Sequence, residues 1–125
     1  MARWILRGAV TASLLLIAAH FAYTFTTFHS LTLESVQFAE LGLPLLFAAL
    51  LNGVVWSLAQ PPRRARLTAH GVNAFMLIVA VLVARLSPVA PAYLIVLCAA
   101  LLSLAGALNH FDAARSSVGA RVATA

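Results

Sequence analysis

The sequence predicts an all-α integral membrane protein, a single domain of four transmembrane helices in a compact bundle with both termini on the cytoplasmic side. Three observations carry this. Hydrophobic residues make up 63% of the 125-residue chain and charged ones 9%, at a mean hydropathy of +1.00; a soluble domain needs far more polar surface over its core. Four apolar runs are each long enough to cross roughly 30 Å of hydrocarbon. The arginines cluster at alternate ends of those runs, which is how basic residues orient membrane proteins.

The spans read as about Trp4–Phe28, Glu40–Ala59, Leu67–Leu86 and Ala90–Asn109. "AQPPRRAR" (Ala59–Arg66) closes the second, because paired prolines cannot continue a helix. "LSPVAP" (Leu86–Pro91) separates the third from the fourth, and residues 110–125 read as a small, polar cytoplasmic tail that frays. Arg3 and Arg7 precede span one; Arg63, Arg64 and Arg66 lie between spans two and three; Arg115 and Arg121 follow span four. The other side has Glu34, Glu40 and Arg85. By the positive-inside rule both termini and the PPRRAR loop are cytoplasmic. A rival reads Arg3, Arg7 and "AVTASLLLIAA" (Ala9–Ala19) as a signal peptide within residues 1–22. His20 and Phe21 stand where small residues would be needed for cleavage, and the apolar run continues through Phe28.

The formal charge of +5 comes from arginine, since the chain has no lysine. That usage, with heavy Ala, Leu and Val, fits a GC-rich bacterial genome and hence the bacterial inner membrane. Nucleic-acid binding is excluded as a reading, because it needs a basic face rather than basic span ends. Cys98 stands alone, so neither an intrachain disulfide nor a cysteine-based metal site is expected.

Polar side chains inside spans are costly and merit individual reading. In span one Ser13, His20, Thr24 and Thr27 fall within an arc of roughly 60°, with Tyr23 at its edge. Span two sets Asn52, Trp56 and Gln60 on one face; span three offers His70, Asn73, Ala74, Leu77, Val81 and Ala84; span four shows Ala99, Ser103, Gly106 and His110. These faces suit interhelical packing, and His20 and Tyr23 could alternatively line a ligand or proton path. The ligand-binding candidates are therefore His20, Tyr23, Glu40, Asn52, His70, Asn73 and Arg85. Arg85 is expected to pair with Glu40 or Glu34. His20 and His70 are expected at different depths, which argues against a haem held between them. Histidines at i, i+3 or i+4 are lacking, so no metal is expected. No nucleophile motif marks a catalytic set, and no cofactor is expected.

The stretch His20–Glu40 reads as the outer half of span one followed by an interfacial connector, with Thr32 or Ser35 capping span two. "AHFAYTF" (Ala19–Phe25) echoes "AHGVNAF" (Ala69–Phe75), an echo that Ala-rich chains produce by chance. "FAELGLP" (Phe38–Pro44) entering an apolar helix, followed by "RRARL" (Arg63–Leu67), resembles the DoxX-like small four-helix membrane proteins. That resemblance implies a four-helix bundle, sometimes tied to quinone or thiol redox chemistry. The chain departs from the pattern where "LLNGVVW" (Leu50–Trp56) replaces a glutamate-and-glycine segment. Three function classes follow: a non-catalytic accessory or assembly subunit of a membrane complex, an oligomeric transporter, and a quinone- or haem-associated redox subunit. The expected partners are lipid and another membrane protein or a second copy.

Overall fold

A computed structural model describes residues 2–40 and 42–123, with the side chains of Ala2, Gln37 and 113–123 outside the description. The helices are α1 (Ala2–Thr27), α2 (Leu33–Glu40), α3 (Leu43–Ser57), α4 (Arg63–Leu86) and α5 (Ala90–Ala123). Four segments are long and apolar enough to cross a membrane: Arg3–Thr27, Leu33–Ser57, Arg63–Leu86 and Ala90–Asp112.

Helix ends follow the prolines. Pro44 sits in the first turn of α3, where a missing N–H costs nothing. Its ring leaves no room for a continuous helix through the carbonyl four residues earlier, that of Glu40, and α2 stops there. Pro61 and Pro62 precede α4, whose first turn is made by the arginines themselves. The span therefore begins one turn before Leu67, where hydropathy alone placed it. Pro88 holds Ser87 extended, and the Ser87 N–H closes α4 on the Val83 carbonyl at 2.8 Å.

Two expectations need correction. The connector before span two is itself helical: Thr32 and Ser35 form a reciprocal capping box, the Ser35 N–H donating to Thr32 Oγ1 (3.2 Å) and the Thr32 N–H to Ser35 Oγ (2.9 Å). Each satisfies an amide that the first turn of α2 leaves free. The tail also stays helical, since α5 continues past Asn109 to Ala123. Arg115 and Arg121, read as cytoplasmic charges, have side chains outside the described residues.

The four long elements form a ring in which α1 packs on α3 and α5, and α4 packs on α3 and α5. The α3–α5 diagonal also touches, because small residues line it. Ala48 and Ala49 of α3 and Ala99, Ala105 and Gly106 of α5 are buried, and small side chains let backbones approach closely. The buried seam of α4 is Ala69, Asn73, Met76, Ala80 and Ala84; Ala74 and Val81, assigned to that face from sequence, point outward. Large apolar side chains such as Phe47, Phe75, Ile78 and Leu97 cover the outside. That is the inverse of a soluble bundle and suits hydrocarbon as solvent.

The joint between α2 and α3 is tight. A Cβ on Gly42 would stand 3.0 Å from His20 Cδ2, closer than packed carbons tolerate. Gly42→Ala should lower stability by about 1–2 kcal/mol, whereas Gly71→Ala, with nothing within 4 Å of the added carbon, should be neutral or stabilising. Thermal unfolding of both variants in detergent checks this; equal midpoints would contradict it.

Candidate functional site

The bundle encloses two amide side chains. Asn52 of α3 and Asn73 of α4 are both buried. Asn52 Nδ2 donates to Asn73 Oδ1 at 2.6 Å, and Asn73 Nδ2 returns a bond to Asn52 Oδ1 at 3.1 Å. The second N–H of Asn52 goes to the Ala48 carbonyl at 2.7 Å, and that of Asn73 to the Leu102 carbonyl of α5 at 3.4 Å. Trp56, one turn beyond Asn52, donates Nε1–H to Asn52 Oδ1 at 3.2 Å. Every amide donor is thereby used, which is the condition for burying such groups at tolerable cost.

Gly106 makes the arrangement fit. A Cβ there would lie 3.4 Å from Asn73 Nδ2, 3.6 Å from Trp56 Nε1 and 3.7 Å from Asn52 Oδ1, so a branched side chain would push the pair apart. From Trp56 the polar layer continues toward the arginine-bearing start of α4. The His70 ring meets Trp56 edge-on, centroids 5.7 Å apart. Its Nε2 lies 3.3 Å from His110 Nδ1 of α5, so one imidazole N–H serves the other's lone pair. The pair joins α4 to α5 through one ring nitrogen of each histidine.

His20 works at the other end. Its Nε2–H donates to the Phe38 carbonyl at 2.8 Å, and its ring stacks on Phe38 at 4.6 Å with 20° between planes. That carbonyl is available because the Gly42 N–H turns back to Ala39 (3.1 Å) instead of continuing the helix. A histidine on α1 thus replaces the bond that the α2–α3 joint loses. His20 contacts residues beside Gly42, and His70 contacts Trp56; α3 rises about 20 Å between those points at ~1.5 Å per residue. The two histidines cannot share one iron.

The remaining candidates lie apart. Tyr23 is exposed, its ring tilted against Phe38 at 5.9 Å. Glu40 and Arg85 are exposed. The expected Arg85–Glu40 or Arg85–Glu34 pair is not made among the described residues: α2 packs on α1 and α3, whereas Arg85 lies in the last turn of α4. In the span-one stripe, Ser13 and Thr24 are buried and bond the carbonyls of Ala9 and His20, each four residues back, at 2.8 and 2.9 Å. Thr27 is exposed. Ser13 and Thr24 thus spend their hydroxyls on their own helix's backbone, a cheap way to bury them. Among the described residues no group of three or more His, Cys, Asp or Glu side chains could hold a metal ion.

Sequence reasoning found Asn52, Asn73 and His70 but paired none of them. Trp56 at i+4 from Asn52, and Gly106 one turn after Leu102, were the available signals. The Phe38 carbonyl could not be found that way, since nothing in a side-chain pattern reports a backbone acceptor set free.

The class these elements define is an all-helical protein with four helices long and apolar enough to cross a membrane. No protein family, curated protein or solved structure matches the chain.

The amide pair predicts a coupling. Asn52→Leu and Asn73→Leu should each cost about 1–3 kcal/mol, because each strands the other amide. The double variant should cost less than their sum by about 0.6–1.7 kcal/mol. A denaturation cycle in detergent measures the difference; strict additivity would refute the pairing.

Proposed function

We propose that this chain is a non-catalytic accessory subunit of a bacterial inner-membrane complex, held with both termini in the cytoplasm, and that α1 is the helix through which it docks. The orientation rests on the arginines at the start of α1 and in the first turn of α4, by the positive-inside rule. The function rests on one observation, the outward face of α1.

That face differs from the other three. Gly8, Ala12, Ala18, Ala19, Ala22 and Thr26 are all exposed on α1, alongside the larger Trp4, Leu15, Tyr23 and Phe25. The outward faces of α3, α4 and α5 are bulkier, with Phe47, Leu50, Phe75, Ile78, Leu82, Leu94 and Leu97 exposed, although α4 also exposes Gly71 and Ala74. Against acyl chains, bulk is favourable and smallness gains nothing. Against another helix, small residues at i and i+4 let backbones approach and multiply van der Waals contact. Gly8/Ala12 and Ala18/Ala22/Thr26 have that spacing. Inside the bundle, by contrast, the polar residues are consumed by each other and by backbone carbonyls, which favours a structural role over a transport path.

Native mass spectrometry of the protein extracted gently from its own membrane tests this. The expected species is a stoichiometric complex with another membrane polypeptide. Ala12→Phe and Ala19→Phe should weaken it at least about tenfold, equivalent to ~1.4 kcal/mol, and Ile78→Phe on α4 should not. A monomer in the native extract, or a complex indifferent to both α1 substitutions, would refute the docking role. A homo-oligomer that conducts a solute in liposomes would replace it with the transporter reading.

A further inference from the structure

A cleft of about 240 Å³ opens between the first turns of α1 and the last turn of α3. Arg3, Arg7 and Thr11 line it from α1, and Gly53, Trp56 and Ser57 from α3, over an apolar floor that includes Leu6 and Val10. It is smaller than the ~300–1,000 Å³ typical of pockets for drug-sized ligands.

The donors left over in this cleft decide what it can hold. Trp56 Nε1–H is committed to Asn52, and the Ser57 hydroxyl donates to the Val54 carbonyl at 2.8 Å. What remains is the Thr11 hydroxyl and two guanidinium groups, four residues apart and so on one face of α1. The Arg7 guanidinium carbon lies 5.3 Å from the centre of the Trp4 ring. Stacking on an aromatic uses the flat face of a guanidinium and leaves its N–H edge free, so Trp4 holds Arg7 in place without consuming its donors. No carboxylate lines the cleft. Two forked cations above an apolar floor match a phosphodiester, whose two non-ester oxygens carry its charge and sit beside an apolar chain.

We propose that this cleft binds the phosphate of an anionic phospholipid, the headgroup between Arg3 and Arg7 and the start of an acyl chain along Leu6, Val10 and Gly53. A soluble phosphate would satisfy the same cations, and the apolar floor favours the lipid. The site lies on a different side of α1 from Gly8, Ala12 and Ala19, so it does not depend on the docking role. Gly53 keeps the cleft open: a Cβ there meets Val10 Cγ1 at an ordinary 3.8 Å, but a longer side chain would fill the space.

The test is native mass spectrometry of the full chain in detergent, incubated with equal amounts of phosphatidylglycerol and phosphatidylcholine. Phosphatidylglycerol adducts should dominate, and Arg3→Gln/Arg7→Gln should reduce them about tenfold. Both arginines are exposed, so that variant keeps the fold, as circular dichroism would verify. Gly53→Leu should reduce the adducts similarly while retaining both charges, with Gly53→Ala behaving as wild type. Displacement of the lipid by millimolar inorganic phosphate would assign the cleft to a soluble phosphate; resistance would assign it to the lipid. Equal retention of the two lipids, or anionic adducts unaffected by the arginine substitutions, would overturn the proposal. Loss with the arginine variant but not with Gly53→Leu would do so as well, since the attraction would then be surface charge without a cleft.

Discussion

The bundle depends on the reciprocal amide pair of Asn52 and Asn73. Two primary amides in an apolar interior would each cost several kcal/mol if left unpaired. Here each supplies what the other lacks, and the spare donors reach the carbonyls of Ala48 and Leu102. Apolar packing between helices in lipid has no strong preference for one rotation over another, because tails are as apolar as leucine. A hydrogen-bonded pair does have such a preference. It fixes the rotation of α3 and α4 and, through Leu102 and Gly106, brings α5 to the same point. The ring of four helices is closed around that contact.

The opposite end meets the same constraint in another way. Pro44 and Gly42 interrupt the second apolar segment, and the interruption frees the Phe38 carbonyl. Away from water a freed carbonyl must find a donor, and His20 supplies it from α1. The stacked Phe38 ring shields that bond. Both histidine positions that looked suggestive of ligand chemistry are therefore engaged inside the protein, His20 with a backbone carbonyl and His70 with His110. Function is sought more profitably on the surfaces: the small-residue face of α1, and the cationic cleft where α1 and α3 meet.

The helices were legible because hydropathy and proline report directly on what a membrane permits. Spans one, three and four start or end within a turn of where apolar runs and prolines put them, apart from the extension of α5. The α2 helix was missed because Leu33–Glu40 holds Glu34 and Gln37 among its apolar residues, and so reads as connector; its capping box was half seen in Thr32 and Ser35. In the candidate site, the identities were legible and the pairings were not. Asn52 and Asn73 stand on different helices, and no periodicity within one helix states which face meets which. The Arg85–Glu40 pairing failed for the related reason that depth alone is a weak guide to proximity: α2 lies on α1 and α3, away from α4.

The central claim is that the polar layer is a dry, closed lock and not a water-filled path. The most direct measurement is hydrogen exchange of the side-chain amide protons of Asn52 and Asn73, observed by NMR in lipid nanodiscs. A closed lock predicts protons far slower to exchange than those of a surface amide such as Gln60, with cross-peaks joining the two side chains. Rapid exchange with water and no cross-peak would mean that water reaches the layer, and the interior would then have to be reconsidered as a route across the membrane.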